Sequence, residues 1–448
     1  MLPNKPAYEP TDDDRPASSS PDEATLESEV PGGSQQKHDP YLAWRLRDYR
    51  LYAVGGLIGA LGSQMFNVAV GWELYERTNS AWALGMVGLV QALPVIGLAL
   101  PAGHLADRHD RRIIFLIAQF IAVLLLLFLT FLSYNNAPVS WFYIVLGLQA
   151  TSNAISGPAR VALLPQLVPV EALANAVTWN SSRFQFASTI GPALGGFAIA
   201  IWQVAWPIYL IATLAALILG VFLIPLKPRP VERQITDESP WQSLSAGVRF
   251  VRGNPIILAT ITLDMFAVLL GGATMLLPIF AKDILHVGPQ GLGWLRAAPA
   301  VGALAMGLTL AHLPPMRRAG HNLLWAVIGF GLATIVFGLS KNFWLSFLML
   351  ALTGAFDNVS VVVRHTLVQV LTPPYMQGRV SAVNSVFIGS SNQIGEFESG
   401  VAATFLGPVV AVVAGGIGTI LVVLGAAAIW PQIKALGSLE DAAREGQS

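Results

Sequence analysis

From Tyr41 onward the chain alternates long apolar runs with short polar breaks. Each run is about 20 residues long, which at 1.5 Å per residue spans a hydrocarbon core of about 30 Å. Twelve runs are predicted to be membrane-crossing helices, near 51–74, 82–103, 113–132, 139–159, 173–201, 206–225, 256–280, 291–311, 322–340, 343–363, 380–405 and 409–430. The period-two alternation of a membrane β-barrel is absent. The pattern predicts an all-α polytopic membrane protein with twelve transmembrane helices in two six-helix pseudo-repeats.

Composition agrees with the pattern. The 448 residues are 54% hydrophobic and 12% charged, where soluble domains carry about 25% charged residues. A net charge of zero on such an apolar chain disfavours a nucleic-acid binder and a soluble globular protein. There is no cysteine, hence no disulfide framework or thiol chemistry. The histidines lack metal-ligand spacing and there is no phosphate-binding Gly-x-x-x-x-Gly-Lys loop. Neither a metal nor a cofactor is expected, and ATP is not the expected driver.

The charges are unevenly placed. Residues 1–40 hold nine acids (Glu9, Asp12, Asp13, Asp14, Asp22, Glu23, Glu27, Glu29 and Asp39) against Lys5, Arg15 and Lys37. They lack apolar core positions, so a disordered acidic tail is predicted there. A signal peptide would start with a basic region and an apolar stretch, which this segment lacks. Among the later breaks, one alternating set holds Arg45, Arg47, Arg50, Arg108, Arg111, Arg112, Arg160, Lys227, Arg229, Arg233, Arg249, Arg252, Arg317, Arg318, Arg364, Arg379 and Lys434. The other set holds Arg77, Lys282 and Lys341. Basic loops stay inside, so both termini are expected in the cytoplasm.

The expected organisation is a tail (1–40), a six-helix bundle (41–226), a cytoplasmic linker (227–254), a second six-helix bundle (255–432) and a short tail (433–448). Within the linker, Trp241, Leu244, Val248 and Val251 recur at helical spacing and predict an amphipathic helix on the membrane face.

The halves repeat each other. A shift of 204 aligns Ser156, Arg160, Leu163, Leu167 and Pro169 with Ser360, Arg364, Leu367, Leu371 and Pro373. It also aligns Asn180-Ser181 with Asn384-Ser385 and Gly196 with Gly400. A shift of 208 aligns Leu84-Gly85 with Leu292-Gly293 and His104-Leu105 with His312-Leu313. Tandem six-helix units of one orientation are the build of transporters whose halves rock about a midplane site.

The break after the second run reads Gly103-His104-Leu105-Ala106-Asp107-Arg108-His109-Asp110-Arg111-Arg112. Small residues permit a tight turn, the arginines hold it inside, and Asp107 is placed to meet the positive end of a neighbouring helix. Asp tolerates left-handed turn geometry, so Asp110 can hold the turn. The fifth run contains Gly191-Pro192-Ala193-Leu194-Gly195-Gly196, which suits close helix packing and a bend. These stretches resemble the loop signature and the antiporter motif of the major facilitator superfamily. Ser156 through Pro169, Glu171, Trp241 through Leu244, and Leu277-Pro278 with Phe280-Ala281 are similar to its drug and siderophore efflux subfamily, which contains enterobactin exporters and macrolide efflux proteins. The resemblance covers about residues 45–430. It implies export by proton antiport and assigns Gly103, Asp107, Arg108, Arg111, Arg112, Arg160, Asp357 and Arg364 to a conformational switch. Gly191, Pro192, Gly195 and Gly196 are assigned to the helix-five motif.

Ionisable residues inside spans are functional candidates. Asp264, Asp357, Glu396, Glu398, Arg183 and Arg296 are these residues. Glu396, at the repeat position of Pro192, is the first candidate for proton coupling, followed by Asp264 and Glu398. Glu396 and Glu398 are about 200° apart around a helix, so they face different ways. Asp357 and Arg364 are two turns apart, about 10 Å; they are expected in one structural network with a further partner, as Arg160 is with Asp107. Gln64, Asn67 and Arg183 are substrate-cavity candidates, with Arg183 either holding an anionic group or neutralising Glu396. Glu73 and Glu76 read as solvated, and Trp72 and Phe280 as interfacial aromatics.

The expected protein is a monomeric inner-membrane secondary transporter, not an enzyme, exporting a small amphipathic molecule in exchange for protons. Its partners are that molecule, protons and the lipid bilayer. An importer or lipid flippase on the same fold is the alternative, and a membrane sensor or enzyme the alternative of another class.

Overall fold

Local signals set where the helices begin. Asp110 accepts from the backbone N–H of Arg112 at 2.8 Å and of Ile113 at 3.4 Å, satisfying orphan donors at a helix start. Its φ is −65°, so it is an extended N-cap and not the left-handed turn residue expected from sequence. Asn254 and Asn342 cap two later helices in the same way.

The computed structural model describes residues 39–229, 240–314, 316 and 318–435. The expected acidic tail up to residue 38, Arg233, Arg317, and the side chains of Trp241 and Lys434 lie outside the described residues. Among the described residues there is no strand. The helices are α1 (Arg47–Thr78), α2 (Ala81–Arg108), α3 (Arg111–Tyr134), α4 (Val139–Leu167), α5 (Val170–Trp202), α6 (Trp206–Leu223), α7 (Pro240–Gly253), α8 (Pro255–Gly271), α9 (Leu277–Ile279), α10 (Gly288–His312), α11 (Ala319–Leu339), α12 (Phe343–Leu371), α13 (Pro374–Leu406), α14 (Pro408–Ile429) and α15 (Gln432–Ala435). Among the described residues, ten helical stretches are long and apolar enough to cross a membrane. α4 and α13 are as long but more polar, and both pack against α2. α8 and α9 belong to one span, Pro255–Ile284. Among the described residues each half thus has six long helices, α1–α6 and α8–α14 with α8 and α9 as one.

That seventh span is broken. At Gly272 the backbone leaves the helix (φ −68°, ψ 47°), a 3₁₀ turn covers Ala273–Leu276, α9 is a single turn, and a π turn covers Phe280–Ile284. Phe280 is fully buried and packs on Phe337 with ring centroids 4.7 Å apart. Trp72 is buried too. Both are core aromatics, not the interfacial pair expected. Helix α7 lays Val251, Leu244 and Val248 against the start of α13 and α8, so its apolar face covers protein.

The helix ends divide into a basic end, which carries the arginine-rich breaks, and an opposite end. The halves meet near the opposite end along two seams, α2 against α13 and α5 against α10. Towards the basic end the α2 and α4 backbones stand clear, with nothing within 4 Å of a methyl placed at Gly97, Gly103 or Gly157. The molecule is therefore closed at the opposite end, while at the basic end α7 of the second half also touches α2.

Candidate functional site

The seams consist of glycines that the sequence repeat pairs. A methyl at Gly85 would lie 2.9 Å from the Gly400 Cα, and one at Gly196 would lie 2.8 Å from the Gly293 Cα. Gly85 corresponds to Gly293 by the shift of 208, and Gly196 to Gly400 by the shift of 204. One pseudo-twofold contact thus occurs twice. Small residues allow such backbone approach. The helix-five motif has two faces here. Gly191 and Gly195 take Gln64 and Met65 of α1, while Gly196 and the Pro192 carbonyl meet α10 of the other half.

Just below the seams, two opposite charges of the second half face the first half. A methyl at Gly71 of α1 would lie 3.2 Å from a terminal nitrogen of Arg296, and one at Gly88 of α2 would lie 2.7 Å from the Glu396 Cβ. Arg296 and Glu396 act on each other electrostatically. Neither makes a hydrogen bond or an ion pair within 4 Å, and the Arg296 Nε is enclosed without a partner. An arginine and a carboxylate held apart in a protein interior attract strongly, yet both keep their hydrogen-bonding capacity for another group. Arg183, the residue weighed as a neutraliser of Glu396, is elsewhere. It donates to the carbonyls of Tyr52 (3.2 Å) and Ala53 (3.4 Å) and to Asn180 Oδ1 (2.6 Å), and lies 5.2 Å over the Tyr52 ring.

Asp264 has a different setting. It forms an ion pair with Arg364, and the two side chains are 6% and 4% exposed. Arg364 thus finds its partner on α8, not in Asp357, which carries no ion pair or hydrogen bond and is half-buried. Glu398 is half-buried and has no ion pair.

Of the cavity candidates, Gln64 donates to Ser188 Oγ at 3.2 Å, joining α1 to α5 within one half. Asn67 is exposed, one turn before Gly71 on α1. Across the α5–α10 seam, Gln185 donates to the Ala300 carbonyl at 2.5 Å.

In the basic loop, Arg111 donates to the carbonyls of Ala106 (3.4 Å) and Ala162 (3.2 Å), and Arg112 to those of Leu223 (3.2 Å) and Ile224. These bonds tie α3 to the ends of α4 and α6. Asp107 and Arg160 are exposed and unpaired; the expected contact between them is not made. Arg108 and Gly103 belong to the same exposed end of α2.

Sequence reasoning missed Glu73. It is 6% exposed, pairs with Arg77 and accepts from Ser133 Oγ at 2.7 Å. The available signal was Arg77 at i+4. Glu76 is exposed, as expected.

Residues 40–445 match the family described as transmembrane secretion effector. The chain belongs to the major facilitator superfamily. Among curated relatives of this superfamily member, the enterobactin exporter EntS of Citrobacter koseri is 29% identical over 378 residues, 84% of this chain and 89% of EntS. Among solved structures, a D-xylose–proton symporter superposes with a TM-score of 0.65 at 14% identity, covering 87% of this chain and 98% of its own. A bacterial ferroportin homologue in an inward-facing state gives 0.63 at 17% identity, covering 87% and 99%. These likenesses show the fold. The superfamily member is a multi-pass membrane transporter of small molecules and not an enzyme.

Proposed function

We propose that this transporter exports a small amphipathic molecule, drug-like or siderophore-like, in exchange for protons carried by Glu396. The reading places the basic end in the cytoplasm, in keeping with the positive-inside asymmetry. The closed end then faces outward, and the membrane is the bacterial inner membrane. The 29% identity to EntS supports outward transport of an organic cargo. The protein acts as a monomer, with the cavity between its own two halves.

The observation that carries the reading is the bonding state of Glu396. It sits at the seam, faces Arg296, and makes no hydrogen bond. An unbonded carboxylate at a gate can hold either a proton or a donor group of the cargo. Cargo entering from the cytoplasm donates to ionised Glu396 and accepts from Arg296. The halves rock, the closed end opens, and a proton from outside takes the carboxylate oxygen and displaces the cargo. The protonated form returns and releases the proton inside. Exchange follows because one carboxylate cannot serve both at once. Asp264, already committed to Arg364, holds α8 to α12.

Vesicles containing the purified transporter and an imposed pH gradient test this. A panel of hydrophobic drugs and siderophores should include one compound moved against its gradient. Glu396→Gln should abolish that movement. Transport by Glu396→Gln at the wild-type rate would refute the coupling role.

A further inference from the structure

A cavity of about 350 Å³ lies at the closed end, which is the size of a small-molecule site. Its walls come from both halves. The first half supplies residues within 75–81, and the second supplies residues within 279–284 and 403–408. The cavity adjoins the α2–α13 seam. Ala81 lines it, and a methyl at Gly400 would lie 3.0 Å from the Ala81 carbonyl.

The polar atoms of the wall are one-sided. The Tyr75 hydroxyl donates to Asp283 Oδ2 across the halves. Thr404 Oγ1 donates to the Gly400 carbonyl at 2.7 Å. A hydroxyl carries one proton and two lone pairs, so both oxygens have only acceptor capacity left. Asp283 Oδ1 is a third acceptor, with no bond from any described residue. Asp283 is also the one charged residue in the described wall, and it is exposed. The neighbouring Lys282 is not part of the wall. Its Nζ donates to Asn79 Oδ1 at 2.9 Å and lies 5.4 Å over the Tyr75 ring. Ile279, Ile284 and Pro408 give the rest of the cavity an apolar lining.

Three acceptors, one negative charge and an apolar wall select among ligands. An anion would meet lone pairs and the Asp283 charge. A neutral alcohol would bring one proton to three acceptors. An ammonium brings three donors, a positive charge and no acceptor, and a small apolar body on it matches the lining.

We propose that this cavity binds a small organic ammonium, its nitrogen held by Asp283 and by the hydroxyl oxygens of Tyr75 and Thr404. Because Tyr75 belongs to one half and Asp283 and Thr404 to the other, the bound ion bridges the halves beside the α2–α13 seam. The site is separate from Glu396 and stands whether or not Glu396 carries protons.

Benzylammonium chloride is the probe and benzyl alcohol its neutral counterpart. Each is titrated against the full chain in lipid nanodiscs, with empty nanodiscs as the blank. Benzylammonium should bind saturably and the alcohol at least about tenfold more weakly, the effect of one charge-assisted bond. Asp283→Asn keeps an acceptor for Tyr75 but removes the charge, and benzylammonium affinity should fall about tenfold. Thr404→Val leaves the Tyr75–Asp283 contact alone, should weaken binding about fivefold, and serves if Asp283→Asn misfolds. Affinity in Glu396→Gln should stay within about twofold of wild type. At about ten times its Kd, benzylammonium should slow hydrogen–deuterium exchange about tenfold in both 79–82 and 403–408. No saturable binding, equal binding of the alcohol, wild-type affinity in either wall variant, loss of binding in Glu396→Gln, or slowing on one side alone would overturn the proposal.

Discussion

Asp264 and Glu396 are both acids in spans of the second half, and the sequence offers no decisive difference between them. Their surroundings differ completely. Asp264 is 5% exposed and bound to Arg364. Glu396 lies against a glycine of the other half, with Arg296 as its electrostatic partner and no bond to it. A carboxylate that already has its partner stabilises one packing of helices. A carboxylate left unbonded at a moving seam is available for exchange. Two acids alike in sequence thus differ in whether they already hold a partner, and the proposed role of Glu396 rests on that difference.

The largest effect should come from breaking the committed pair. Asp264→Leu leaves Arg364 buried without a counter-charge, at a cost of about 3–5 kcal/mol. The expected outcome is loss of monodisperse protein in detergent. The double variant Asp264→Leu/Arg364→Leu should recover much of that loss, read as a higher melting temperature than the single variant. If the single variant folds normally and loses only coupling, the contrast between the two acids collapses.

Next in size is the seam. Gly400→Leu forces a side chain into the Gly85 backbone, a clash of about 1–3 kcal/mol against the closed arrangement. Cysteine pairs placed across the closed end of this cysteine-free chain should crosslink about tenfold more slowly. Unchanged crosslinking would mean that the glycine contact does not control closure.

Smaller still is Gln64→Leu, which loses the bond to Ser188 at about 1 kcal/mol. Vesicle transport should remain within about twofold of wild type, because Gln64 is engaged within its half. A collapse of transport without loss of stability would return Gln64 to the cargo site.

Much of this architecture is legible in the sequence because it depends on periodicity and small residues. The apolar runs predict the spans. The shifts that pair Gly85 with Gly293 and Gly196 with Gly400 also predict which residues occupy equivalent seams, although not that they touch. Charge partners are less legible, since they depend on how helices far apart in sequence rotate against each other. Arg364 shares a helix with Asp357 but meets Asp264, about 100 residues away. Glu73 lies near a helix end, where acids are commonly solvated, and packing against α3 and Tyr209 of α6 buries it. Gly272 breaks a run whose hydropathy continues unchanged, so the run reads as one helix. Asp110 carried a readable cap signal, an Asp before Arg-Arg-Ile-Ile, that the loop signature obscured.

The proposed exchange requires Glu396 itself to take up the transported proton. Infrared difference spectroscopy of the transporter in lipid during a pH jump observes carboxyl protonation directly, without knowledge of the cargo. The wild type should gain a protonated-carboxyl C=O band on acidification, and Glu396→Gln should lack that band. A band of undiminished intensity in Glu396→Gln would contradict the account.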